Sequence, residues 1–559
     1  MAQQQQNITI QAPGFHGLNT EDSPFQQDYG FALTADNAVV DRYGRIGARE
    51  AFATYTDTVT ISYSTHASMA TETKHLYRMA HGHINGVLRI IGTLGHLQYD
   101  AAGSLLQSDY YIVEIVGTTM SSITYPTLTD DSTLADACIV AFEDAFYIFS
   151  DGNAPLVFDG TAITKLSADA AYLPPQDDGG TIAAELDGDI AFAGAGRMWV
   201  TGVGDDYSTI YYSDLLIPEQ WYDGKAAPTD PQNTAGIIDV REYWPTGYDE
   251  ITAMVEHNNF LVVFGRSSIL LYANINAADP AGTDGIYLAD TITNIGCVNR
   301  DAVTSIGSDL LFVDDTGVRS LGRTIQEKSV PIGDLTANVK EDITSLLRGE
   351  DTKAISLCYI PNKNVVICLF ANSEQAYAIE MRRPSPTGAM KVTRWTGCVF
   401  NRGLYVDTVG TAYTLLAGKH GGGALKYEGY AEWSGEPYLF KYDSAVLTFG
   451  ESVVQKFIKQ IDFTIVSTSF DAPAVVRWGY GGVLEYTANK TIQASTPALY
   501  GISEYGTATY GPGFEVIKRY RTNAKGSGAV ARVGLEVEIY GNSCAIQEIN
   551  IQTLLGRIY

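Results

Sequence analysis

The stretch FLVVFGRSSILLYANI, residues 260–275, holds two apolar runs joined through Gly265, Arg266, Ser267 and Ser268. A polar turn between two runs of strand-forming residues predicts a β-hairpin. A hairpin with one face in water alternates apolar and polar residues, and neither run does so. Both faces of this hairpin must therefore be covered by other parts of the chain.

The pattern recurs. Residues 143–159 (EDAFYIFSDGNAPLVFD), 194–212, 307–322 and 361–379 each show a turn-forming lead-in, an apolar run, a polar turn and a second strand, with fainter copies at 86–100 and 411–427. The turns fall near positions 93, 153, 195, 266, 316, 372 and 420. Spacings of roughly 40 to 70 residues bracket the period of propeller blades carrying loop insertions. In a propeller, small sheets pack face to face around an axis, so the middle strands are covered on both sides. Stacked sandwiches would demand stricter alternation on their outer strands.

The predicted fold is all-β. A β-propeller of six or seven blades is expected over residues 66–439, with inserted loops and one helix, followed by a C-terminal antiparallel β-domain over 440–559. The helix is predicted in GDLTANVKEDITSLLRGED (333–351), with Asp334 as its cap and Leu335, Val339, Ile343, Leu346 and Leu347 on one stripe. Past residue 440 the runs at 445–451, 458–467, 472–480, 531–541 and 545–559 alternate more cleanly, as half-exposed strands do.

Charge divides at the same place. The 559 residues carry 37 Lys and Arg against 64 Asp and Glu, a net −27. Phe440 to Tyr559 holds 11 basic and 10 acidic residues, a net +1, which leaves −28 on residues 1–439. Such an excess opposes sequence-specific binding to duplex DNA, which needs clustered cations. The hydrophobic share of 45% is that of a globular protein. No apolar run is long enough for a transmembrane helix, and MAQQQQNITIQAPG at the start does not read as a secretory signal, so the cytosol of the producing cell is the expected location. The six cysteines are scattered without a CxxC pair, which predicts buried thiols rather than disulfides or zinc ligands.

Catalytic signatures are not found. Five of the eight histidines lie between His66 and His96, and His81 and His83 would share a strand face, yet no acidic or cysteine partner stands at ligand spacing. ELDGDI (185–190) lacks the rest of a calcium loop, and QDDGG (176–180) reads as a loop. There is no G-x-S-x-G, H-E-x-x-H or P-loop, and the repeated aspartate box of sialidases does not occur. No catalytic residue, metal or cofactor is assigned, and the chain is read as a non-enzyme. In LYGISEYGTATYGPGFE (499–515), Tyr500, Tyr505 and Tyr510 each precede a glycine at a five-residue spacing that suits neither helix nor strand. They are the candidate contact or tip loop.

Residues 11–50 form a polar, Gly- and Pro-punctuated arm. Together with the first strands it makes an N-terminal segment, 1–65, expected to pack on neighbouring subunits. Phe15, Leu18, Asn37, Arg45 and Arg49 are its candidate interface residues.

The run Gly14, Leu18-Asn19, Pro24, Ala35-Asp36-Asn37-Ala38, Gly44-Arg45-Ile46 and Arg49 resembles the N-terminus of tail nozzle proteins (tail tubular protein B, or tail hub proteins) of short-tailed, podovirus-type bacteriophages. IYYSDLLIPEQW (210–221) is similar to a blade segment of such phage structural proteins, and CAIQEINIQTLLGRIY (544–559) resembles their last strand. The chain is shorter than the larger nozzle proteins. The resemblance implies a virion tail protein, assembled in the host cytoplasm as a six-fold ring below the adaptor under the portal. Tail fibres or spikes would attach near its rim, double-stranded DNA would pass through the ring, and its tip would face the host surface. No catalytic residue carries over. Carboxylates lining such a lumen would repel phosphate within a Debye length of about 8 Å. The alternative is a propeller-type tail protein that binds glycan or degrades polysaccharide, which purified protein cleaving host polysaccharide would reveal.

Overall fold

The computed structural model describes residues 5–56, 58–166, 188–218, 221, 234–245, 247–277, 285–327, 334–406, 414–450, 453–467, 471–493 and 516–556. The stretch at 260–275 forms the strands Phe260–Gly265 and Ser268–Ala273, the middle pair of a four-stranded antiparallel sheet completed by Ile251–His257 and Tyr287–Thr293. Its apolar runs split by parity. Leu261, Val263, Leu270 and Tyr272 pack with Trp199, Ile210 and Tyr212 of the preceding sheet. Val262, Phe264, Ile269 and Leu271 turn the other way, and Phe264 meets Phe312 of the following sheet with ring centroids 5.1 Å apart. Successive strand residues point to opposite faces, so a continuous apolar run serves two cores at once. Each fully buried Leu, Ile, Val or Phe contributes about 1.5–3 kcal/mol.

Seven sheets repeat this arrangement around one axis. Blade 1 has the strands Thr71–Ile84, Val87–Tyr99, Leu105–Val116 and Thr119–Ile123, with Thr58–Thr60 beside the last. Blade 2 spans Cys138 to Lys165, blade 3 Ile190 to Asp239, blade 4 Ile251 to Thr293, blade 5 Val303 to Ser320 and blade 6 Ile355 to Thr396. Blade 7 takes Phe400–Val406, Thr414–Lys419 and Ala424–Tyr427, and its outer strand, Phe52–Thr54, comes from the N-terminal segment. The innermost strand of each blade touches those of its two neighbours, through the turn Arg300–Ala302 between blades 4 and 5, and blade 7 closes on blade 1. This is a closed seven-bladed propeller.

The C-terminal region is a two-sheet sandwich. One sheet runs Val516–Asn523, Lys456–Ser467, Cys544–Leu555, with Gln5–Gln11 and Ile46–Ala48 both paired to the far side of Cys544–Leu555. The other runs Phe31–Asp36, Tyr438–Ser444, Ala531–Ile539, Ala472–Tyr480, Tyr486–Ile492. Between them lie Phe440, Tyr442, Leu535, Trp478, Ile461, Phe463, Ile549 and Ile551. Asp36 bridges to Arg394 of blade 6, which makes that blade and the second sandwich sheet one continuous sheet.

Four expectations need correction. Residues 86–100 are not a hairpin but the single strand Val87–Tyr99, paired on both sides. Its glycines make room for neighbours instead of turning the chain: a Cβ at Gly92 would lie 2.7 Å from the Arg78 carbonyl oxygen, and one at Gly95 2.7 Å from the Tyr77 ring. Residues 445–450 form no strand and only bridge at Leu447 to Ala531.

The helix is shorter than expected and has a companion. A first helix, α1, covers Leu321–Glu327, and α2 covers Lys340–Gly349 after a 3-10 turn at Ala337–Val339. Asp334 does not cap α2, because its carboxylate accepts from the Thr336 N–H and hydroxyl, both at 2.8 Å. Leu335 N donates to Val318 O at 2.9 Å, so this segment lies along the outer edge of three-stranded blade 5. Val339 and Ile343 are buried as the stripe requires.

The fourth correction concerns the arm, which is spent within its own chain. It supplies a blade strand, strands of both sandwich sheets and part of the largest core. All six cysteines are free, four of them buried and Cys138 and Cys358 half-buried, and burial pushes Cys297, Cys358, Cys368, Cys398 and Cys544 up to about 12.

Candidate functional site

Two constructions hold the molecule together, one at the arm and one on the propeller axis. The arm construction centres on Asn37, whose φ of 50° is a left-handed conformation that asparagine tolerates. Its Nδ2 donates to Thr396 Oγ1 of blade 6 and to the Leu439 carbonyl of the sandwich, each at 3.0 Å. Its Oδ1 accepts from Thr396 N at 3.0 Å and from Arg49 Nε at 3.1 Å. Arg49 is 2% exposed, pairs with Glu432 at 2.8 Å and lies over the rings of Tyr438, Phe52 and Trp395. One amide and one guanidinium thus join the propeller, the sandwich and the arm.

The other candidate interface residues are buried as well. Phe15 is fully enclosed, with its ring edge against Tyr442, and Leu18 is 3% exposed. Arg45 pairs with Asp41 at 2.5 Å and lies over the Tyr43 ring. The expectation that these five side chains face a neighbouring subunit is therefore corrected: each is enclosed by its own chain, because the arm adds strands that would otherwise be missing. Tyr500, Tyr505 and Tyr510 lie outside the described residues, as do 176–180 and 185–187.

The axial construction is an ionic hub. Arg300 reaches Asp136 at 2.9 Å and Asp189 at 2.8 Å. Arg78 pairs with Asp136 and Asp301, Arg402 reaches Asp301 at 2.6 Å, and Lys353 reaches Asp136 at 2.6 Å. These residues sit on, or one to three positions ahead of, the innermost strands of blades 1, 2, 3, 5, 6 and 7. Glu250 and Thr252 of blade 4 line the adjoining cavity of about 290 Å³. Burial works to raise the Asp136 carboxyl, yet Arg300 and Arg78 hold it down to about 2. Burial, followed by Arg300 and Arg402, pushes Arg78 down to about 9.

Interlocked guanidinium and carboxylate groups of this kind fix geometry, and at neutral pH Asp136 has no proton to give. Of these residues only Asp189 falls in a stretch the sequence singles out, ELDGDI (185–190). The usable signal was a charged residue recurring just ahead of the first strand of successive blades. His81 and His83 lie on the one strand Thr71–Ile84, and no cluster of three or more metal-ligating side chains occurs among the described residues.

No protein-family model matches the sequence, and no curated protein matches it at a significant level. Solved structures similar to it include YCF48 bound to D1 peptide, at 10% identity and a TM-score of 0.30, covering 71% of this chain and 96% of that one. The WD40 domain of Toxoplasma gondii coronin is similar at 7% identity and a TM-score of 0.29, covering 76% and 86%. The periplasmic gluconolactonase of Pseudomonas aeruginosa is similar at 11% identity and a TM-score of 0.26, covering 56% and 83%. At these scores the propeller rests on the chain's own closed ring of sheets, and the neighbours' activities say nothing of this protein.

Proposed function

We propose that the chain is a virion structural protein of the tail nozzle type, a ring-forming conduit for double-stranded DNA in a short-tailed bacteriophage. The observation that supports this best is where the nozzle-like residues fall. Leu18, Asp36, Asn37, Arg45 and Arg49 all belong to the arm and its clasp, and each has a packing or bonding task there. Gly44 does too: at φ 75°, it sits where a Cβ would lie 2.5 Å from that of Pro13. A motif in which these six members serve assembly of the fold suits a protein whose work is mechanical.

The ionic hub ties the inner strands of six blades together, so in this reading the duplex runs between subunits and not through a blade ring. The −28 carried by residues 1–439 lets the propellers face a phosphate backbone without holding it. Closely packed blades resist deformation under the passage of DNA. The adaptor, the fibres and the host surface are the partners this reading names.

Electron microscopy of the purified full-length chain, and of particles carrying it, tests the proposal. Closed six-fold rings, with matching density below the portal, are the expected result. A chain that stays monomeric at high concentration, is missing from tails or cleaves host-surface polysaccharide would overturn it.

A further inference from the structure

We infer that the cleft where arm, blade 6 and sandwich meet is an oxyanion-binding site, taking a carboxylate or phosphate group. The cleft has a volume of about 430 Å³ and is lined by Arg42, Arg45, Lys363 and Arg382 against only two carboxylates, Asp41 and Glu50. In a chain of net charge −27, this excess of cations in one concavity runs against the whole. Volumes of this size suit small ligands or a few residues of a bound segment.

The cations are held in place before any ligand arrives. On the arm side, the Asp41 carboxylate accepts from the Tyr43 N–H at 2.8 Å and the Arg45 N–H at 2.9 Å, which shapes the turn. The guanidinium groups of Arg42 and Arg45 each lie 4.7 Å from the centre of the Tyr43 ring. Arg42 is exposed, its Nη2 lies 2.6 Å from the Tyr43 hydroxyl, and it has no carboxylate partner among the described residues. On the blade side, Arg382 Nη2 donates to the Lys363 carbonyl at 2.6 Å, and its only carboxylate neighbour among the described residues, Glu380, stands 3.7 Å off. Burial raises the Glu380 carboxyl above its usual range. Lys363 is already paired with Glu50.

Arg42 and Arg382 therefore approach the cleft from two elements, each with donors to spare. Planar guanidinium groups bind carboxylate and phosphate through paired hydrogen bonds, and fixing them beforehand removes ordering cost. The anion could be the side chain of an acidic segment or a free phosphate.

Calorimetric titration of the full-length protein in low-salt buffer, with pyrophosphate and with hexaglutamate as probes, tests the inference. At least one probe is expected to bind at one site per chain, more weakly as salt rises. Affinity should fall by about ten-fold or more in Arg42→Ala and in Arg382→Ala, both exposed positions whose loss leaves the core intact. Circular dichroism of both variants checks the fold, and Arg241→Ala, in the turn Arg241–Tyr243 after blade 3, serves as an unaffected control. Binding of pyrophosphate alone identifies free phosphate as the source, and binding of hexaglutamate identifies an acidic segment. Failure of both probes to bind, or binding indifferent to both substitutions, overturns the inference.

Discussion

Arg49 and Asn37 stand twelve residues apart in sequence, and Arg49 Nε donates to Asn37 Oδ1 at 3.1 Å deep in the joint between propeller and sandwich. The same guanidinium is the counter-charge of Glu432. Replacing Arg49 by Met strands that carboxylate among apolar rings, and removing one partner of a buried pair costs about 3–5 kcal/mol. Arg49→Lys keeps the charge but loses the Nε bond and the planar stacking, so an intermediate loss is expected. Urea denaturation of both variants measures the difference, and a loss below about 0.5 kcal/mol for Arg49→Met would place it with ordinary surface changes and remove the clasp role.

The hub gives a second test. Asp136→Asn leaves Arg78, Arg300 and Lys353 facing one another with a single anion fewer, and about 3–5 kcal/mol of stability is expected to go with it at neutral pH. The native carboxyl is held below its ordinary 3.8, to about 2. A depressed carboxyl stabilises the fold fully above the unfolded value and loses that contribution as pH falls through the folded one. The gap between wild type and Asp136→Asn should accordingly narrow from about pH 4 down to pH 2, as read by denaturant titration at each pH.

Closure of the ring is tested at Phe52. Its side chain is 2% exposed, its ring centre lies 4.5 Å from that of Phe400 and 5.2 Å from that of Tyr427, and its strand is the outer edge of blade 7. Phe52→Ala is expected to lower stability by about 3–5 kcal/mol. Hydrogen exchange should show faster opening in Ala424–Tyr427, while the middle strands of blades 3 and 4 keep their protection.

The seam between blades 7 and 1 carries a titrating pair. His75 and His420 have rings 4.9 Å apart, and His420 Nε2 lies 2.8 Å from Asn401 Oδ1. Burial, and then His420, lowers His75 below 6.5; burial lowers His420 in the same direction. A native state that resists a proton the unfolded chain accepts is fully stable above about pH 6.5 and weakens as pH falls through that value. His75→Gln should flatten this decline between about pH 7 and 5.5 in thermal unfolding, and an unchanged slope would clear the pair of any role.

Much of the propeller could be read from residues 260–275 and their copies, because parity alone tells a doubly covered strand from one with a wet face. The same rule failed at 86–100, where Gly92 and Gly95 suggested a turn although they serve cross-strand packing. The arm was misjudged because Phe15, Leu18 and Ala35 are sparse in sequence and become core only when strands more than 350 residues away close over them. Non-local pairing of this kind leaves no periodic trace. The hub was missed because its charges are dispersed over six blades, and each one alone resembles a turn residue. The cleft cations escaped notice for a similar reason: Arg42 and Arg382 are drawn together by topology only.

Gln5–Gln11 pairs with Cys544–Leu555, so an early strand waits for one made much later. Phe52–Thr54 waits likewise for Ala424–Tyr427. During that interval the early strands present unpaired edges, and closing loops this long makes the final steps slow. A chain interrupted before Cys544–Leu555 leaves Gln5–Gln11 without that partner. Such a chain keeps an exposed strand edge, the feature that invites pairing with other chains.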